Sequence, residues 1–280
     1  RTACIREGFV VKFEYYFARQ SEPNMSKRTP AVLPDEIDPS RLPRHIAIIC
    51  DGNGRWARER GMPRLLGHHQ GYQSVREIVR SASDFGIGAL TLYAFSTENW
   101  SRPKDETDGL MSLFIEGAKR ELMELHSNNV RMMFSGDLTT LPKALQDELA
   151  RHIELTRANT GLVLNICLNY GSRDEILRAT KRAAALVLSG EISVDEITAD
   201  VFSDGLYTAG LPDPDLLVRT AGDMRISNYL LWQIAYAEIV VVDTRWPDFR
   251  TPQLVDTLRE FQRRDRRYGG VVNVRGAAKS

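Results

Sequence analysis

Cysteine is scarce in this chain of 280 residues: only Cys4, Cys50 and Cys167 occur, with no Cys-x-x-Cys spacing. That excludes a zinc ribbon or a disulfide scaffold and favours a reducing compartment, with Cys50 and Cys167 read as small buried hydrophobes. Net charge is also missing. Lysine plus arginine number 37 and aspartate plus glutamate 37, so the basic footprint of a general nucleic-acid binder is absent and no nucleic-acid partner is expected. No run reaches the 18 or so uninterrupted apolar residues of a membrane span. The best candidate, residues 229–242, is cut by Gln233 and Glu238. Neither repeats nor low-complexity blocks are found. What remains is 42% hydrophobic and 26% charged, the mix of a soluble globular chain with a large core. A cytoplasmic protein is expected.

Residues 1–24 do not read as a signal peptide, because Lys12, Glu14 and Arg19 interrupt the apolar run. They are expected to be an unstructured extension, with Met25 as a plausible start. Pro30, Pro34, Pro39 and Pro43 give residues 26–43 the character of a linker. From Arg44 onward, runs rich in Ile, Leu and Val at 46–50, 90–95, 130–134, 162–168, 216–218 and 239–242 suit strands buried on both faces. Helical stripes lie between them: Val75, Ile78, Val79 and Ala82; Leu141, Leu145, Leu149 and Ile153; Ile176, Ala179, Ala183, Leu186 and Val187; Leu254, Leu258 and Phe261. The alternation predicts one α/β domain, a mostly parallel six-stranded sheet flanked by helices, over 44–270. Residues 1–43 form the extension and linker, and 271–280 a tail.

In an open parallel sheet, ligands bind beyond the carboxyl ends of the strands. The first such loop is Asp51-Gly52-Asn53-Gly54-Arg55-Trp56. Its glycines let the backbone approach an anion closely, Arg55 adds a charged contact, and Asp51 is a hard oxygen ligand suited to magnesium on a diphosphate. Alone, the same residues fit a tight turn capped by Asp51. The loop also satisfies the loose dinucleotide fingerprint Gly-x-Gly-x-x-Ala, so a nicotinamide or flavin enzyme is the first rival. Its context argues otherwise. The helical stripe is expected to begin only near Gly67, and Ser96 rather than an acidic residue follows the second strand.

The second strand is followed by Ser96-Thr97-Glu98-Asn99-Trp100-Ser101-Arg102, the fourth by Asn169-Tyr170-Gly171, and the fifth by Arg219 through Asn228. Arg219 and Arg225, with Ser227, could hold a second anion; surface salt bridging is the alternative. His68 and His69 point apart on a helix, so one contacting phosphate is more plausible than both binding metal. His45, His126 and His152 read as structural or surface groups, and Trp232 and Trp246 as core.

Taken together, these segments resemble a known family. The stretch from His45 to Ala57 (HIAIICDGNGRWA) is similar to the opening signature of the cis-prenyltransferases. So are Ala94 to Trp100, Arg225 to Gln233, Trp246 to Phe249 and Arg266 to Gly270. Within that family the segments resemble the bacterial undecaprenyl diphosphate synthases. The resemblance implies the family fold and a homodimer that condenses isopentenyl diphosphate repeatedly onto an allylic starter, usually farnesyl diphosphate, forming cis double bonds with magnesium. The product would be a long polyprenyl diphosphate, the precursor of a cell-wall lipid carrier, released with transient membrane contact.

By position, the resemblance makes Asp51 the essential catalytic carboxylate at the metal and Glu238 a second metal-linked carboxylate. Gly52, Asn53, Gly54, Arg55, Trp56, Arg64 and His68 become the allylic diphosphate pocket. Ser96, Thr97, Glu98, Trp100 and Arg102 become substrate contacts, with Asn99 a proton acceptor or its organiser. Arg219, Arg225, Ile226 and Ser227 become the isopentenyl diphosphate site. Ala94 and Leu162 line a chain-length tunnel, Leu162 at its far end. Cys50 stands where the family often has Met, and Ala221 and Asp223 replace more usual residues. No Asp-Asp-x-x-Asp occurs, which argues against the all-helical trans-prenyltransferases. A short-chain synthase and a non-catalytic subunit on the same fold are the alternatives.

Overall fold

The computed structural model describes residues 29–264. The extension 1–24, Met25, the motif from Arg266 to Gly270 and the tail 271–280 lie outside the described residues. Residues 31–264 belong to one compact unit.

Six parallel strands form a single sheet in the order β3-β4-β2-β1-β5-β6. They are β1 (His45–Ile49), β2 (Ala89–Ser96), β3 (Arg131–Ser135), β4 (Val163–Tyr170), β5 (Leu216–Arg219) and β6 (Glu238–Val241). Each expected strand is present, shifted by one or two residues at most. The central strands carry apolar side chains on both faces, as strands covered on both sides must. Ile46 and Ile48 enter one core with Leu90, Leu92, Val218 and Trp246. Ala47 and Ile49 enter another with Tyr93, Cys167, Tyr229 and Leu230. A third cluster joins Phe95, Leu110, Met111, Leu145 and Leu149.

The helices are α1 (Asn53–Glu59), α2 (Arg64–Asp84), α3 (Lys104–Ser127), α4 (Lys143–Thr156), α5 (Ser172–Leu188), α6 (Ala199–Ser203) and α7 (Thr251–Arg263). Pro63, Pro103 and Pro142 stand at the starts of α2, α3 and α4, where a fixed φ and a missing N–H cost nothing. Two expectations are corrected. Helix α1 opens directly behind Gly52, so the helical stripe does not wait until Gly67. Its seven residues are too few to show a periodic stripe. The linker is also shorter than its prolines suggest, because Ile37 is buried in the main core and Ala31, Leu33 and Leu42 pack against it.

The β2–β4 pairing is irregular where it matters. Tyr93 pairs with Cys167, Phe95 with Leu168 and Ser96 with Tyr170. Ala94 is therefore an extra residue on β2, and Asn169 an extra residue on β4. Asn169 takes a left-handed φ of 47°. Such bulges re-aim side chains beside functional sites.

Candidate active site

Asp51 leaves the carboxyl end of β1 in a turn pinned from below. Its N–H donates to Thr220 Oγ1 at 2.9 Å, and its carbonyl accepts from Thr220 Oγ1 at 2.7 Å and from Trp246 N–H at 2.9 Å. Gly52 follows with φ 104°, and a Cβ there would sit 2.9 Å from Ala221 Cβ. Only glycine meets both demands. The Asp51 carboxylate accepts from Gly52 N–H at 2.6 Å and from Arg219 at 2.8 Å, with Arg55 3.3 Å away.

Arg219 ends β5 and is almost wholly buried. Besides Asp51, it donates to Ser227 Oγ at 2.9 Å and to the Arg225 carbonyl, while its Nε is buried without a partner. Asp223 joins this group through Arg55 at 2.7 Å and Arg225 at 3.1 Å.

A second cationic group faces it. Glu106, in the first turn of α3, is 3.1 Å from Arg64 and 3.2 Å from Arg102, with His68 Nε2 at 3.6 Å. The His68 ring beside it holds its carboxyl down to about 2, opposed by burial and helped by the Arg64 and Arg102 guanidiniums. Burial in turn lowers the His68 pKa, against the pull of the Glu106 carboxylate beside it. Gly54 lets the Arg64 guanidinium lie close, since a Cβ would sit 3.0 Å from it.

These groups surround a polar cavity of about 520 Å³, lined among others by Asp51, Gly52, Asn53, Gly54, Arg64, His68, Ala94, Ser96, Glu98, Asn99, Arg102, Arg219, Arg225 and Ser227. An apolar cavity of about 180 Å³ shares Cys50, Asn53, His68 and Ala94 with it and continues past Leu92, Phe114, Leu145, Met132 and Leu164. Bulged Ala94 thus stands at the junction.

Not every expected residue joins the cavity. Trp56 is buried and pinned by its Nε1–H to Asp248 at 2.8 Å, with Arg60 stacked 4.1 Å over its ring; its side chain packs the floor of the loop and does not line the cavity. Arg55 reaches Asp51 and Asp223 but lines a neighbouring basic hollow with Arg58 and Arg64. Ile226 packs against the second core cluster, and Thr97 abuts Gly171. Trp100 lies outside the cavity wall, its Nε1–H donating to Asn169 Oδ1 at 2.8 Å. Asn99 Oδ1 accepts from Ser96 N–H at 3.2 Å and caps the turn, which suits an organiser better than a proton acceptor.

Two placements are corrected. Leu162 does not line the apolar cavity; it precedes β4 and belongs to the core cluster that includes the lining residues Met132 and Leu164. Glu238 begins β6 level with Leu216, at the amino edge of the sheet, and binds Arg264 at 3.1 Å. Asp51 lies past the opposite edge, beyond the level of Arg219. Three strand steps of about 3.3 Å already separate those levels, so one chain does not bring Glu238 to Asp51.

Sequence reasoning missed Glu106 and the role of Asn169. Arg102 and Glu106 stand four apart across a helix start, a spacing that could have suggested an ion pair. Asn169 had no comparable signal, because its aim depends on the bulge.

The family model described as putative undecaprenyl diphosphate synthase matches residues 49–269. The chain belongs to this family. Isoprenyl transferase of Clostridium tetani is 48% identical over 84% of this chain and 92% of its own length. A farnesyl-diphosphate-specific ditrans,polycis-undecaprenyl-diphosphate synthase of Pasteurella multocida is 48% identical over 84% of this chain and 98% of its own. Among solved structures, lavandulyl diphosphate synthase from Lavandula x intermedia, in complex with dimethylallyl diphosphate, superposes with a TM-score of 0.80 at 35% identity, covering 82% of this chain and 99% of that one. The protein is thus a prenyltransferase on the fold its relatives share, and the cavity with Asp51 at its rim is the candidate active site of that enzyme.

Proposed function

We propose that this prenyltransferase adds isopentenyl diphosphate repeatedly to an allylic diphosphate, farnesyl diphosphate being the preferred starter, to make a long cis-polyprenyl diphosphate of the undecaprenyl class. Such a product would be a precursor of the lipid carrier for cell-wall synthesis. The observation that carries the reading is the junction of a charged cavity with an apolar one at Cys50, Asn53, His68 and Ala94. A diphosphate held in the first can feed its hydrocarbon tail into the second.

In this reading Arg64, Arg102, His68 and the Gly52–Gly54 backbone take the allylic diphosphate. Arg219, Arg225 and Ser227 take that of isopentenyl diphosphate. Asp51 lies beside the second group and is the residue that would hold magnesium. Among the described residues no three His, Cys, Asp or Glu side chains converge on a metal site, but magnesium commonly uses one or two carboxylates and completes its shell with phosphates and water. Half-exposed Asp51 at the rim of a phosphate-sized cavity fits that pattern. The ion would supply charge stabilisation to the leaving diphosphate. The chain's own part is to anchor the two diphosphates so that the allylic carbon and the isopentenyl double bond meet at bonding distance, and to neutralise with arginines the charge that grows as the allylic carbon–oxygen bond breaks. Ser96, Glu98 and Asn99 form the turn over the junction, where the proton lost from isopentenyl diphosphate must leave.

We further infer a homodimer in the cytoplasm that meets the membrane only to release product. Among the described residues no helix is long and apolar enough to cross a membrane. The test is incorporation of radiolabelled isopentenyl diphosphate with farnesyl diphosphate and magnesium, followed by chromatography of the dephosphorylated products. Absence of incorporation rejects the reading, and arrest after one addition replaces it with a short-chain synthase.

A further inference from the structure

Asp223 has no task in the reaction as derived and does not line the polar cavity, yet it lies against Arg219 and Arg225, which do. Arg225 grips its carboxylate with both terminal nitrogens at 3.1 Å. Arg55 donates to it at 2.7 Å, and Arg219 stands 3.8 Å away. Asp51 shares two of these three arginines. The cluster therefore balances three guanidiniums against two carboxylates, and the donors a diphosphate would need are largely taken. Burial opposes ionisation of Asp223, but Arg55 and Arg225 beside it hold its pKa below the usual aspartate range.

The backbone under Asp223 is fixed. Ala221 and Gly222 take left-handed φ values of 72° and 76°, and their N–H groups donate to Thr244 and Val242 carbonyls at 3.0 Å each. The arginines have more freedom: the Arg225 side chain is 64% exposed and that of Arg55 33%. Any exchange of partners is thus made by the arginines swinging away from a stationary carboxylate. Buried Arg219, with its unpartnered Nε, marks the side on which an acceptor is still wanted.

We propose that Asp223 is a built-in competitor for diphosphate. It holds Arg225 in the free enzyme, yields it to an incoming substrate, and takes it back as inorganic pyrophosphate departs. This rests on the reading that Arg219 and Arg225 face a diphosphate. Its consequence is selectivity. A bare phosphate or pyrophosphate must displace the carboxylate with charge alone, whereas a substrate adds the burial of its isoprenoid part.

The experiment is calorimetric titration of inorganic pyrophosphate into the full chain with chelator and no magnesium, so that carboxylate–metal contacts do not contribute. Asp223→Asn should bind pyrophosphate roughly tenfold more tightly than wild type, the scale of one charge-assisted hydrogen bond regained. Asp223→Glu, which keeps the charge, should stay near wild type. Asp243→Asn removes the same charge from the neighbouring strand end and should change affinity by less than about twofold, since a screened field acts weakly without direct contact. Under turnover, Asp223→Asn should be inhibited more strongly by pyrophosphate. Equal or weaker pyrophosphate binding by Asp223→Asn overturns the proposal, as does equal tightening by Asp243→Asn. If Asp223→Asn fails to fold, Asp223→Ser carries the same comparison. Incorporation assays run in parallel separate the two readings: active protein without tightening rejects only the competitor, and tightening without any incorporation rejects only the prenyl chemistry.

Discussion

Single residues divide the site into two charged halves with different duties. Asp51 is tied to Arg219 at 2.8 Å and to its own loop, so Asp51→Asn keeps the volume and loses the charge. Turnover is expected to fall by on the order of a hundredfold or more, the scale of one lost electrostatic stabiliser. The thermal midpoint should stay close to wild type. Near-normal incorporation would remove Asp51 from the reaction. Glu106 gives a pH signature. Its carboxyl is depressed from 4.5 to about 2, so the stability it contributes is complete above its unfolded pKa near 4.5 and drains away as pH falls towards 2. Thermal midpoints measured from pH 4.5 down towards pH 2, the range those two values set, should fall in wild type and change less in Glu106→Gln. Parallel curves for the two proteins would contradict this.

Elements were legible in the sequence to the extent that they repeat. Six apolar runs announced six strands because the central strands are buried on both faces, and the long helices showed stripes at helical spacing. What stayed hidden depends on partners far away in the chain. Helix α1 is too short for a stripe, and Ile37 is held by a core its neighbours do not predict. The bulge that aims Ala94 and Asn169 exists only when β2 meets β4. Glu238 shows the limit of reading positions along the chain, since only the strand register reveals that it lies at the opposite edge of the sheet from Asp51. At this scale the contact of α2 with the first loop is the sensitive point. A Cβ on Gly71 would meet the Asn53 side chain and approach Trp246 Cδ1 to 2.9 Å. Gly71→Ala is expected to cost about 1–3 kcal/mol, as overpacked sites do, and to disturb the shared mouth of the two cavities. A denaturation midpoint equal to that of wild type would show that the helix moves aside freely.

At the scale of the molecule, the apolar cavity lies between two of the three core clusters, drawing Leu92, Met132 and Leu164 from one and Leu110, Leu145 and Leu149 from another. Ala94→Leu should block its entrance and shorten the products resolved by chromatography; an unchanged length distribution would place the tail elsewhere. Leu162→Ala, in the core cluster that supplies part of the cavity wall, should cost about 2–5 kcal/mol as a core truncation. It should lengthen products only where the new void opens into the cavity, which the same chromatogram reports alongside a melting curve. The unfilled space has a consequence for the protein as a folding unit. An alkyl chain that enters it completes a core the polypeptide leaves unfinished, and it can do so only in the native state. By mass action such a guest raises the melting temperature in proportion to the logarithm of its free concentration once the site is saturated. The lipid under construction would then act as a temporary piece of the enzyme's own interior, and each departing product would return the protein to its least stable form.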